Sequence, residues 1–143
     1  MRWCSIPISL SNLTLSNTLP VGQSFLWHRR QVEPGPSSST APDAPEEFSR
    51  AIDNPPRVVF LRQTPRHLHY SCAYPDDRGQ AVDKDYELTR RWLHDYFQLD
   101  HDLDKLYADW RRLDPLLFGK IEINERAIGV RLLRQDPWEC LVA

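Results

Sequence analysis

His67 and His69 lie one residue apart, so on a strand both imidazoles would project from one face, where a metal ion could meet them. No Cys, Asp or Glu at a suitable spacing completes a ligand set, so the pair reads as polar residues on an open sheet face. Asp100, Asp102 and Asp104 bring three carboxylates together but lack the glycine and terminal glutamate of a calcium loop, which leaves helix capping as the better account. Cys4, Cys72 and Cys140 are far apart and form no Cys-x-x-Cys pair; they read as buried or idle thiols in a reducing compartment. Arg29-Arg30 could touch phosphate, but two arginines at a strand end are more often solvated. Trp92, Tyr96 and Trp110 could stack on bases, yet their helical spacing assigns them to a core. Gly22, two residues after Pro20, by itself only opens a strand.

Composition narrows the classes. The 143 residues are 41% hydrophobic and 27% charged, ordinary for one globular domain. The net charge is −2, whereas an autonomous non-specific DNA binder carries a basic excess to replace phosphate counterions. Residues 1–30 contain Arg2, Arg29 and Arg30 and no acid, while the stretch from Asp83 to Asp114 is acidic on balance. A DNA-facing surface would therefore lie towards the amino-terminal strands. No apolar run is long enough to span a bilayer, and the first residues lack a signal-peptide core.

The elements that must position these residues follow from periodicity. Gly22 to Arg30 alternates as a strand. Residues 31–56 read as a disordered Pro/Ser-rich insertion in a hairpin connection. Val58–Gln63 and His67–Tyr74 are strands joined across Thr64-Pro65-Arg66 as an antiparallel hairpin, and Pro75 to Gly79 is a turn. Lys84–Leu99 and a segment with Leu103, Leu106, Tyr107 and Trp110 on one face are helical, the latter capped by Asp102. A third helix begins at Asp114-Pro115, although Gly119 weakens it. Gly129–Leu133 is an extended connector or strand. Asp136-Pro137-Trp138-Glu139 opens a last helix as a capping box, with proline at its first position. That helix ends at Ala143 without a stop signal, which reads as a cut inside a buried helix.

Two stretches carry a family resemblance. They are Leu19-Pro20-Val21-Gly22-Gln23-Ser24-Phe25-Leu26-Trp27 and Gly129-Val130-Arg131-Leu132-Leu133-Arg134-Gln135-Asp136-Pro137-Trp138-Glu139-Cys140-Leu141. Both resemble the corresponding stretches of eukaryotic 8-oxoguanine DNA glycosylases, in the same order. Tyr96-Phe97-Gln98-Leu99-Asp100, and Leu106-Tyr107 with Trp110, fit between them. The resemblance implies that residues 1–135 form the N-terminal domain and residues 136–143 begin the helical catalytic domain. It also implies an α+β fold: an antiparallel, TATA-binding-protein-like sheet with packed helices. Strands first and helices afterwards give α+β independently.

Such enzymes flip the damaged guanine into a pocket. A lysine attacks the sugar to give a Schiff base, an aspartate assists, and strand cleavage follows. In the family these two residues lie in a helix-hairpin-helix half beyond this chain, and Lys84, Lys105 and Lys120 match no such motif. No catalytic residue, metal or cofactor is therefore expected here, and the fragment alone is expected to be inactive. One position transfers: in the family, the main-chain carbonyl of the glycine at Gly22 accepts a hydrogen bond from N7–H of 8-oxoguanine. Arg131 and Arg134 are expected to position the other half. The implied partner of the full-length protein is double-stranded DNA containing oxidised guanine. The protein is expected to be a monomer, in the nucleus with the mitochondrion as a second site, and with no membrane association. A stand-alone DNA-binding or protein-interaction module is the alternative, which the net charge and the unfinished last helix disfavour.

Overall fold

Among the described residues five antiparallel strands set the frame. They are β1 (Cys4–Pro7), β2 (His28–Gln31), β3 (Glu46–Ile52), β4 (Arg57–Thr64) and β5 (His67–Ala73), in the spatial order β1-β5-β4-β3-β2. The computed structural model describes residues 2–32, 44–120 and 127–142. Residue alternation puts Ile6, Phe48, Val59, Leu61, Leu68, Tyr70 and Cys72 on one face. Leu13, Leu15 and Leu19, around the short helix α1 (Leu15–Thr18), join Leu93, Tyr96 and Phe97 in the cluster that closes over it. Each such buried Leu or Phe stabilises the fold by about 1.5–3 kcal/mol relative to exposure. The fold is α+β, as expected. The β4–β5 hairpin is present, with Thr64 opposite His67.

Two parts of the frame differ from expectation. First, residues 46–52, placed in a disordered insertion, are an interior strand paired with both β2 and β4; only residues 33–43 of that insertion lie outside the described residues. Its charges are held on both faces. Glu47 lies between Arg30 (2.7 Å) and Arg62 (2.9 Å), and Arg50 pairs with Glu139 on the covered face. Second, the strand expected from Gly22 begins only at His28, because Gly22 has φ +85° and turns the chain. Strand β1 ends on Pro7, which an edge strand tolerates because its ladder needs no donor there. Of the two readings of Gly129–Leu133 the structure has the connector, with no ladder of its own.

The helices follow their caps. Asp76 accepts from Gly79 N and starts α2 (Asp77–Val82), where a turn was expected. Helix α3 (Glu87–Tyr96) is shorter than Lys84–Leu99. Asp85 and Tyr86 sit at positive φ in a 3-10 turn, and the buried Asp83 carboxylate accepts from Leu88 N (2.8 Å) and Thr89 N (3.2 Å). At its other end Gln98 has φ +50°. Helix α4 (Leu103–Leu113) is capped by Asp102, as expected. The third helix expected at Asp114 is only a capped turn followed by a 3-10 turn (Phe118–Lys120); residues 121–126 lie outside the described residues. Helix α5 (Pro137–Val142) is capped by Asp136, whose carboxylate accepts from Glu139 N at 2.9 Å. The Glu139 side chain does not close a capping box; it turns inward to Arg50. Among the described residues no helix is long and apolar enough to cross a membrane.

Candidate functional site

Three segments meet where α1, the 127–136 connector and α5 converge. Thr18, fully buried, donates to Gly129 O (3.1 Å) and accepts from Arg131 N (3.3 Å). The Gln23 amide donates to Arg131 O (2.8 Å) and accepts from Leu133 N (3.0 Å), as a paired strand would. Ser24, also buried, donates to Glu139 Oε1 at 3.0 Å. Between these anchors Gly22 is exposed, and a Cβ built on it would meet nothing within 4 Å. Glycine is required there by the left-handed backbone, not by packing inside the domain. Among the described residues the Gly22 carbonyl accepts no hydrogen bond.

Glu139 is the hub beneath that loop. Arg50 holds it bidentately, NH1 to Oε1 at 2.7 Å and NH2 to Oε2 at 2.9 Å, and Gln135 donates at 2.9 Å. Burial pushes the carboxyl pKa up, but the bonds from Arg50, Gln135 and Ser24 outweigh it and leave Glu139 below the usual carboxylate range. The Arg50 guanidinium lies 5.2 Å from the Tyr96 ring centre and 5.7 Å from that of Trp92, which stack on each other. Tyr96 OH accepts from Arg50 (2.9 Å) and Trp27 Nε1 (3.1 Å), and burial raises its pKa. Sequence patterning gave no sign of the Arg50–Glu139 pair. The only hint was a charge at an inward-facing strand position, in a segment that did not look like a strand. A cleft of about 670 Å³ runs beside this pair and is lined by Leu26, Trp92 and Trp138, but not by Gly22.

The remaining candidates separate. His67 and His69 share the uncovered sheet face, ring centres 5.7 Å apart, and His69 Nε2 lies 3.1 Å from Thr64 Oγ1. Burial, then the neighbouring His67, lowers the His69 pKa. No group of three metal-ligating side chains occurs among the described residues. Arg29 and Arg30 are ion-paired with Glu46 and Glu47 rather than simply solvated. Arg131 does not point outward to position another half. It is buried and donates to Gln98 O (2.7 Å), His101 O (2.8 Å) and Asn12 O, closing the exit of α3. Arg134 pairs with the exposed Asp95 at 2.7 Å. Lys84, Lys105 and Lys120 are exposed and dispersed. Cys72 is buried, with burial raising its thiol pKa, while Cys140 is exposed. Trp92 and Tyr96 pack in the core as expected; Trp110 does not, and rests on Tyr107 and Phe118 with 38% of its surface exposed. Around Gly22 and along α5, Val21, Phe25, Leu26, Trp138 and Leu141 are all exposed.

The 8-oxoguanine DNA glycosylase N-terminal domain model matches residues 5–141, nearly the whole fold and all the segments that meet at Gly22. The chain belongs to that family. It is 30% identical over 142 residues to an N-glycosylase/DNA lyase of Arabidopsis thaliana, covering 99% of this chain and 32% of the relative. It is 28% identical over 143 residues to an N-glycosylase/DNA lyase of Saccharomyces cerevisiae, covering 99% of this chain and 33% of that protein. The chain thus spans about a third of the length of these relatives. The family is one of DNA-repair glycosylase/lyases, and its N-terminal domain carries the loop around Gly22.

Proposed function

We propose that this chain is the N-terminal domain of an 8-oxoguanine DNA glycosylase/lyase of base-excision repair, acting in the nucleus on double-stranded DNA, and that it supplies the Gly22 carbonyl to the flipped base. The observation that carries the reading is that exposed Gly22, whose carbonyl accepts no hydrogen bond among the described residues, lies on a loop anchored by Thr18 before it and by Gln23 and Ser24 after it. Guanine presents N7 as an acceptor, whereas 8-oxoguanine carries a hydrogen there. A fixed carbonyl would meet a donor in the lesion and a lone pair in the normal base, a difference of about 1–3 kcal/mol. Rigid anchoring matters because a carbonyl free to rotate could turn away from the lone pair and lose the distinction. On this reading the lysine of the Schiff-base step is not Lys84, Lys105 or Lys120, which match no such motif and are exposed on separate elements.

Borohydride trapping on a duplex with one 8-oxoguanine opposite cytosine tests the assignment. The full-length protein should give a covalent protein–DNA band and release the base. These 143 residues alone should give neither. A trapped band from this chain alone, or none from the full-length protein, would overturn it.

A further inference from the structure

The Gly22 loop is held by side chains that have no part in the core cluster of the sheet. Gln23 clasps the connector with two hydrogen bonds, to Arg131 O and from Leu133 N. Ser24 reaches Glu139, which Arg50 fixes by a bidentate ion pair. None of these four residues belongs to the hydrophobic cluster. They tie residues 23–24 to two segments more than a hundred positions away, and Gly22 is the next residue in the chain. The carbonyl proposed to read N7 belongs to the peptide that joins Gly22 to Gln23, so the Gln23 anchor is one peptide unit from it and the Ser24 anchor two. We infer that Gln23, and Ser24 held by the Arg50–Glu139 pair, are positioning residues that set the direction of the Gly22 carbonyl and so the recognition of oxidised guanine.

This inference rests on the function proposed above and adds specific side chains to it. Hydrogen bonds weaken steeply as their angle falls, so a loop released from its anchors makes a poorer bond to N7–H. The loss concerns the base only. Cleavage at a preformed abasic site involves no base to be read, and it reports any general damage to folding or DNA binding.

The test uses the full-length protein with Gln23→Ala, Ser24→Ala and Ser24→Thr. Single-turnover excision of 8-oxoguanine is measured beside strand cleavage at an abasic site in the same duplex. Gln23→Ala and Ser24→Ala should lower the ratio of excision to abasic cleavage by roughly 5- to 10-fold, the worth of about one hydrogen bond. Ser24→Thr, which keeps the hydroxyl, should restore the ratio for that position. Because Ser24→Ala leaves the Arg50–Glu139 pair intact, it keeps the test informative if Gln23→Ala folds poorly. An unchanged ratio, or excision and abasic cleavage falling together, would overturn the inference while leaving the proposed function standing. Absence of excision by the unsubstituted protein would overturn that function, and the inference with it.

Discussion

Alanine at position 129 should destabilise the protein far more than alanine at position 22, although both glycines have positive φ. Gly22 has φ +85° and Gly129 has φ +65°. An L-residue in the left-handed region costs about 1–2 kcal/mol, so each substitution carries at least that. At position 22 nothing more is added, because the new Cβ points into open space. At position 129 it would stand 2.1 Å from Leu10 O and 2.6 Å from Thr14 N, both main-chain atoms that cannot swing aside. The connector must move. Doing so disrupts the bonds that Gly129 O accepts from Thr14 N (2.8 Å) and Thr18 Oγ1 (3.1 Å), each worth about 1 kcal/mol. The sum for Gly129→Ala is about 3–4 kcal/mol before the clash itself is counted, against about 1–2 for Gly22→Ala. Urea denaturation of both variants beside the unsubstituted protein measures the difference. Equal losses would refute the argument from room at position 129, and a loss above about 3 kcal/mol at position 22 would mean that the loop is not open as described.

The buried polar network yields three further expectations. Arg50→Met leaves the Glu139 carboxylate without its cation and should cost about 3–5 kcal/mol, whereas the double variant with Glu139→Gln should recover part of that loss; a double-mutant cycle in urea checks both. Glu139 has a lower pKa folded than unfolded, so the folded state binds fewer protons. Its stabilisation is complete above the unfolded value of about 4.3 and is lost as pH falls through the lower folded value. Arg50→Met should flatten that part of the acid-unfolding profile. Asp83→Ala removes the acceptor for Leu88 N and Thr89 N and leaves Arg57, 3.5 Å from the carboxylate, buried without its anion; thermal unfolding should show a loss of about 3 kcal/mol or more.

Much of this arrangement was legible in the residues, and the gaps have physical causes. The β4–β5 hairpin and the Asp102 and Asp136 caps follow from alternation, turn length and capping chemistry, all local. Strand β3 was missed because Glu47 and Arg50 break the apolar alternation. Their compensation comes from Arg30, Arg62 and Glu139, which only the fold brings near. The last helix begins where its Asp-Pro start says it should, but Glu139 abandons the expected capping box for an arginine 89 positions earlier. Arg131 misled in the same way: expected to position another half, it proved to be a buried clasp on main-chain carbonyls. Gly22 could be singled out only through family resemblance, since its own neighbours say no more than that the chain turns.

The most direct test of the central claim is a structure of the full-length protein bound to a duplex with a flipped 8-oxoguanine. The distance from the Gly22 carbonyl oxygen to N7 should fall within about 2.7–3.2 Å, with the N7–H directed at it. A base bound with N7 turned away from Gly22, or satisfied by another residue, would contradict the account.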